Sequence, residues 1–261
     1  MARPFAVITG ASTGIGFELA RIATGSGYDV LVVADEALVE AAADDLRRTG
    51  TDVTWLQTDL ATLEGVDRLL ESVGGRRIDV LCANAGRGLG RCFLDQDPDD
   101  WRRVINTNVV GTVYLLQNVL RQMVNQGSGR VLVTGSIAGF IPGSFQAVYN
   151  GTKAFIDSFA DAIRNELKEF DGITITTLMP GPTDTAFFER ADMMDTKVGV
   201  DPDKADPKKV ARDGWDGMIE GKDNIVSGWK NKLQVAAAHV TPPGVMAEQH
   251  RRMAEPGTAN S

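Results

Sequence analysis

Two side chains four residues apart, Tyr149 and Lys153, could share proton-transfer chemistry. On a helix, positions i and i+4 lie on one face. A phenol in water titrates near pH ~10 and is a poor base at neutrality. An ammonium within about 4 Å would stabilise the phenolate by roughly 4 kcal/mol at an effective dielectric near 20. That lowers the phenol pKa by about 3 units and makes an acid/base suited to pH 7. Arg130-Val131-Leu132-Val133-Thr134 reads as a buried strand, and Ser136 follows its C-terminal end, where open α/β sheets place ligands. Alone, the Tyr-x-x-x-Lys pair also fits any helix with one buried ring and one solvated lysine, so the elements around it decide its meaning.

Those elements alternate. A short strand, Phe5 to Thr9, runs into Thr9-Gly10-Ala11-Ser12-Thr13-Gly14-Ile15-Gly16 and then a helical pattern. Strand, glycine turn and helix form the first half of a dinucleotide-binding unit, in which the backbone approaches a pyrophosphate and the helix N-terminus offers free N–H groups. The spacing is Gly-x3-Gly-x-Gly. A second strand, Tyr28 to Ala34, ends at Asp35-Glu36, where an acid accepts hydrogen bonds from the adenosine ribose and repels a 2′-phosphate. With Thr at 13 and no basic residue in 34 to 37, this favours NAD over NADP; Asp35 could equally cap the next helix. A third strand, Val53 to Gln57, leads to Thr58-Asp59-Leu60, where Asp59 could cap a helix or meet the adenine amine. The fourth, Ile78 to Ala83, leads to Asn84-Ala85-Gly86, a tight turn beside a ligand or a turn only. A long helix from Pro98 to about Asn125 contains Asn108, a poor helix-interior residue that suggests a local bulge or a functional contact. The Tyr149 helix runs to about Phe170 and the sixth strand from Ile173 to Leu178. Pro180-Gly181-Pro182-Thr183-Asp184-Thr185 ends that strand. Residues 186–206, with Phe187, Phe188, Met193 and Met194, read as a mobile flap over a site and suggest a substrate with apolar bulk, or ordinary packing. A helix from Pro207 and a short strand near Asn224 to Val226 follow. The fold class is therefore α/β, a single-domain, doubly wound parallel sheet over residues 1–241 with helices on both faces. The tail from 242 to 261, rich in proline, glycine and charge, is expected to be partly disordered.

Composition narrows the function. The 261 residues carry a formal net charge of -8 and no basic run, which argues against nucleic acid or an anionic membrane as partner. No apolar run approaches the ~18 residues of a membrane span, and no signal peptide is visible. Cys82 reads as a core residue and Cys92 as surface, with no disulfide framework or metal site, so a reducing, cytoplasmic setting fits. His239 and His250 read as solvated surface.

Taken together and in order, these motifs make the chain over about residues 4 to 228 resemble the short-chain dehydrogenase/reductases, in their single-domain branch. Thr9-Gly10-x3-Gly14-Ile15-Gly16 is similar to that family's cofactor turn. Asn84-Ala85-Gly86 matches its motif after the fourth strand, although Ala83 stands where a second Asn is common. Asn108-Val109-Val110-Gly111 matches its Asn-x-x-Gly motif, and Ser136, Tyr149 and Lys153 its catalytic set. Pro180-Gly181 matches the motif beside the nicotinamide, with Thr183 and Thr185 as amide and phosphate contacts. The resemblance implies an NAD(P)-dependent oxidoreductase that interconverts a secondary alcohol and a ketone. Tyr149 would exchange the proton with the substrate oxygen as hydride moves at nicotinamide C4. Lys153 would lower the Tyr149 pKa and hold the ribose, Ser136 would bond the substrate oxygen, and Asn108 would hold a water linking Lys153 to solvent. No metal is implied. It also implies a homodimer or homotetramer formed through the helices at about 98–125 and 149–170. The competing readings are a catalytically silent NAD(P)-binding regulator and a dehydratase or epimerase on the same fold.

Overall fold

The structure is a computed structural model that describes residues 3–260. Among the described residues, seven parallel strands form one sheet: β1 (Phe5–Thr9), β2 (Asp29–Ala34), β3 (Val53–Gln57), β4 (Val80–Ala83), β5 (Gly129–Thr134), β6 (Ile173–Met179) and β7 (Asn224–Val226). Their order is β3-β2-β1-β4-β5-β6-β7, so the sense in which successive strands are added to the sheet reverses between β1 and its parallel neighbour β4. That crevice, at the carboxyl ends of the strands, is where ligands bind in open α/β sheets. The expected doubly wound parallel sheet is the fold observed.

Alternate side chains of each strand face opposite sides. On one face Ala6, Ile8, Val30 and Val32 pack against Leu19 and Ile22 of α1 (Gly14–Gly25) and Val210, Trp215 and Met218 of α9 (Pro207–Ile219). On the other, Val7, Leu31, Val131 and Val133 pack against α3 (Leu63–Ser72), α5 (Thr112–Gln126) and α6 (Ala147–Glu166) through Leu69, Leu116, Val119, Met123 and Ile156. β3 is the exposed edge, with Thr54 and Trp55 facing solvent.

Caps set several helix starts. Thr62 accepts the Gly65 amide at α3, and Asp97 accepts the Asp99 amide at α4 (Pro98–Ile105), which has Pro98 in its first turn. The expected long helix from residue 98 is thus three pieces. Between α4 and α5, Asn106–Gly111 widen into a π-helical segment. This is the bulge that Asn108 suggested. A Cβ on Gly111 would overlap the Leu60 carbonyl oxygen, so glycine is required where this segment crosses the end of β3.

The C-terminal segment departs from expectation. Beyond β7 the chain forms α10 (Trp229–Ala238), and then α11 (Pro243–Ala254) within the 242–261 tail that was expected to be partly disordered; residue 261 lies outside the described residues. Met246, His250 and Ala254 recur every four residues and are buried together, a stripe that outweighs the polar composition of the tail. His250 is therefore not solvated surface. Its Nδ1 donates to the Ser144 carbonyl at 2.9 Å, and Ser144 Oγ donates to the Ala247 carbonyl at 3.0 Å. Burial lowers the His250 pKa, partly opposed by the Ser144 bond. The unfolded chain, with histidine near 6.5, then binds more protons than the folded one as pH falls, so stability present above that value is lost below it. Acidification from pH 7 toward pH 5 is expected to raise amide exchange in residues 243–254 before the sheet responds. In His250→Gln the same acidification should leave that difference unchanged.

Candidate active site

The glycine turn is shaped by close approaches. Gly10 and Gly14 have φ of +64° and +58°, and a Cβ on Gly16 would overlap the Gly10 carbonyl. The N-cap of α1, Thr13, makes no side-chain cap bond, and the first turn holds no acid. The first amides and the positive end of the helix dipole thus remain available to an anion, as a pyrophosphate site requires.

Asn84 joins the strand ends beneath this turn. Its Nδ2 donates to the carbonyls of Thr9 at 3.1 Å and Gly10 at 3.3 Å, and its Oδ1 accepts from Thr134 Oγ1 at 3.1 Å. Thr9 Oγ1 accepts the amides of Asn84 and Ala85, each at 3.0 Å. Asn84 is thus tied firmly with Ala at 83.

Ser136, Tyr149 and Lys153 meet at the end of β5. Ser136 Oγ accepts the Ala138 amide at 3.1 Å and hydrogen-bonds the Tyr149 phenol. Lys153 Nζ donates to the Thr134 carbonyl at 2.8 Å and lies 5.9 Å from the Tyr149 ring centroid. The electrostatics differ from the simple Tyr–Lys expectation. Burial pushes the Tyr149 phenol up to about 12; the Ser136 bond lowers it and the Asp157 charge raises it further. Burial also lowers the Lys153 pKa, against which Asp157 acts. Desolvation dominates here: both groups are buried, and the Lys153 ammonium bonds the Thr134 carbonyl with no hydrogen bond to the phenol.

Asn108 is fully engaged as well. Its Oδ1 accepts the Arg87 amide at 2.8 Å, and its Nδ2 donates to the Arg87 carbonyl and to Thr152 Oγ1, each at 2.9 Å. It pins the loop after β4 to α6. The other sequence-predicted residues line one cleft of about 1370 Å³: Gly10, Ser12, Thr13, Gly14, Ile15, Gly16, Asp35, Asp59, Leu60, Asn84, Ala85, Gly86, Ser136, Tyr149, Lys153, Pro180, Gly181, Thr183 and Thr185; Asn108 lies just behind its wall. Neither Asp35 nor Asp59 caps a helix: α2 (Leu38–Leu46) has Ala37 at its N-cap, and Thr62 caps α3. Asp59 Oδ1 instead accepts the Ala61 amide at 3.0 Å, and both residues border the cleft.

The expectation that no basic residue stands near Asp35 needs correction. Arg87 Nη1 lies 2.9 Å from Asp35, while Arg103 Nη2 lies 3.3 Å from Asp35 and 3.0 Å from Asp59. Arg190 Nη2 bonds Glu36 at 2.8 Å, and Ser12 Oγ donates to the same carboxylate. These arginines lie 52, 68 and 154 positions along the chain from the acids they meet, so a reading of the local sequence could not see them.

The segment over the cleft is α7 (Phe187–Arg190) and α8 (Lys197–Val200). The Phe187 ring lies 5.1 Å from that of Tyr149, and Phe188 also lines the cleft. Met193 is wholly buried away from the cleft and Met194 is half exposed, so of the four apolar residues only the phenylalanines face the site. Arg91 forks onto Asp192 at 2.5 and 2.7 Å and reaches Asp195 at 2.7 Å. Asp195 also accepts the Gly257 amide at 3.2 Å. His250 and Met253 of α11, with Ala259, complete the wall; sequence reasoning missed them, although the four-residue stripe of α11 was visible.

The family model for short chain dehydrogenases matches residues 4–195. An uncharacterized oxidoreductase of Staphylococcus epidermidis is 30% identical over 196 residues, 74% of this chain and 83% of that protein. One from Staphylococcus aureus is 30% identical over 211 residues, 79% of this chain and 87% of that protein. Among solved structures, a short-chain dehydrogenase from Sphingobium yanoikuyae in complex with NADPH superposes with a TM-score of 0.82 at 27% identity, covering 94% of this chain and 95% of that one. One from Burkholderia phymatum in complex with NAD gives 0.83 at 20% identity, covering 92% and 96%, a likeness of fold.

Arg91→Ala would remove the fork from the loop after β4 to Asp192 and Asp195, leaving the Gly90–Ala191 backbone bond and the Gly257–Asp195 bond to hold the shell. Stability should fall by about 1 kcal/mol, the scale of a partly exposed ion pair. Hydrogen exchange should rise in 186–200 and 255–260 while the strands keep their protection; equal loosening of the sheet would show that the fork is not local.

Proposed function

The chain belongs to the short-chain dehydrogenase/reductase family of oxidoreductases, and from that premise we propose that it interconverts a secondary alcohol and a ketone with a nicotinamide cofactor, using Tyr149 as acid/base. The observation that carries this reading is the meeting of Ser136, Tyr149 and Lys153 at one strand end, beside a glycine turn whose close backbone approaches leave room for a pyrophosphate. When bound, the cofactor accepts or donates the hydride and, oxidised, brings a positive charge. Ser136 Oγ and the Tyr149 phenol hold the substrate oxygen. The phenol passes its proton to a carbonyl or, as the phenolate, takes one from an alcohol, and Lys153, kept charged, draws the phenol down from its raised value. Phe187 excludes water beside the ring and favours a substrate with apolar bulk.

In this reading Asp35, which lines the cleft at the end of β2, accepts the ribose hydroxyls, which favours NAD(H). Arg87 and Arg103 offset its charge, so discrimination against a 2′-phosphate is expected to be modest. The NADPH complex of the Sphingobium yanoikuyae relative supports a family cleft that admits the phosphate. Self-association through α5 and α6 is supported by Phe155, exposed on α6 and stacked on Phe159.

Turnover is tested by nicotinamide absorbance over a panel of alcohols and ketones. Tyr149→Phe should lower kcat by at least about a thousandfold while NADH still binds, as read by its fluorescence; retained turnover would refute the acid/base role. No turnover in the unmutated protein despite tight NADH binding would favour a silent regulator. Titrations of NADH and NADPH should show a small preference for NADH that widens in Arg103→Ala. A preference for NADPH in the unmutated protein would overturn the cofactor assignment.

A further inference from the structure

Asp157 is a buried carboxylate on α6 that the proposed reaction does not use. It follows Lys153 by four residues and Tyr149 by eight, so the three share a helix face. The residue is 6% exposed, as is Lys153. Neither carboxylate oxygen has a hydrogen-bond partner of normal geometry. Both press on the backbone of the loop after β5: a Cβ on Gly135 would overlap Oδ1, and one on Gly139 would overlap Oδ2. A buried carboxylate in such a place is costly unless a charge offsets it. The opposite charge in reach is the Lys153 ammonium, equally buried one turn earlier on the same helix face, though no direct ion pair joins the two.

The surroundings leave few other candidates. On α6 the titratable neighbours are Tyr149, Lys153 and Asp161. Asp161 is engaged by Arg164 at 2.6 Å. The loop after β5 offers the Ser136 amide, and β6 the uncharged Thr177 alongside Gly135. Burial raises the Asp157 pKa and lowers that of Lys153, while each charge opposes the shift of the other.

We propose that Asp157 is a positioning residue for the reaction: its carboxylate is the buried counter-charge that keeps Lys153 protonated, and it seats the Gly135–Gly139 loop that carries Ser136. This rests on the assignment of Tyr149 and Lys153 to the reaction. Without the carboxylate, Lys153 sheds its proton at lower pH and ceases to favour the ionised phenol, a loss that outweighs relief of the Asp157 charge on Tyr149 itself.

The test reads Lys153 directly. In cofactor-free protein carrying ¹³C-lysine, the Lys153 signal, assigned by its loss in Lys153→Arg, is titrated with and without Asp157→Asn. The midpoint should fall by about one unit or more in the variant. The basic limb of the kcat/KM profile should move the same way, with kcat down about tenfold at pH 8 and the substrate KM within about twofold. A folded variant with an unmoved midpoint and superimposable profile overturns the proposal. Should Asp157→Asn not fold, the unmutated protein still decides: the Lys153 and Asp157 signals should each show both steps of a coupled titration, and independent single-step curves overturn it. The two readings fail separately. Absence of turnover with a shifted Lys153 midpoint removes the reaction and leaves Asp157 as its counter-charge; turnover with an unshifted midpoint removes Asp157 and leaves the reaction.

Discussion

One constraint governs the site: α6 must lay polar side chains against the backbone that follows β5, with no water between. Burying them is unfavourable unless backbone groups and opposite charges replace solvation. Lys153 bonds the Thr134 carbonyl, and Asn150 Nδ2 bonds the Ile141 carbonyl at 2.9 Å. Side chains can come this close only where the loop lacks Cβ atoms. Gly135 and Gly139 abut Asp157, and Gly143 abuts Asn150. The glycines after β5 are thus a steric requirement of the polar helix face, and the polar face in turn fixes where Ser136 stands.

The rest of the floor follows from parallel strands ending together. Their last carbonyls and amides lack ladder partners, and a side chain must satisfy them. Asn84, Thr9 and Thr134 do so across β1, β4 and β5. Asn108 extends the network to α6, because the π-helical segment turns its amide toward Arg87 and Thr152. The mouth is held differently. Its acids and arginines are partly exposed, so their pairing is weak, salt-screened and able to exchange for a ligand.

What the sequence made legible divides along the same line. Strands, glycine turn and the Tyr149 helix were readable because each rests on local period and spacing: β7 was expected at Asn224 to Val226 and is found there. The bulge at Asn108 was readable from one residue poor for a helix interior. The arginines around Asp35 were not, since only the assembled sheet brings positions 87 and 103 to the end of β2. The raised Tyr149 pKa was missed for a related reason: sequence spacing reports that a cation is near, but not how dry the site is or which carbonyl the cation prefers. The tail was misjudged by weighing composition above the spacing of Met246, His250 and Ala254.

The two halves of the cleft are therefore held by forces of different kind, and this bears on how they can change. The inner half stands on strand ends bonded to a dry core, where a lost partner leaves an unpaired buried group. The outer half is a shell of three segments, the loop after β4, the α7–α8 segment and the C-terminal stretch, joined at Arg91, Asp192 and Asp195. Such joints are modest in energy and partly exposed, so the shell can be redrawn without disturbing the sheet. Asp192 and Arg91 even adopt left-handed backbone, with φ of 55° and 78°, a local strain tolerated where the two segments meet over the cleft. On the proposed function, the core keeps the reacting groups rigid, and the choice of substrate falls to the part of the chain whose contacts cost least to replace.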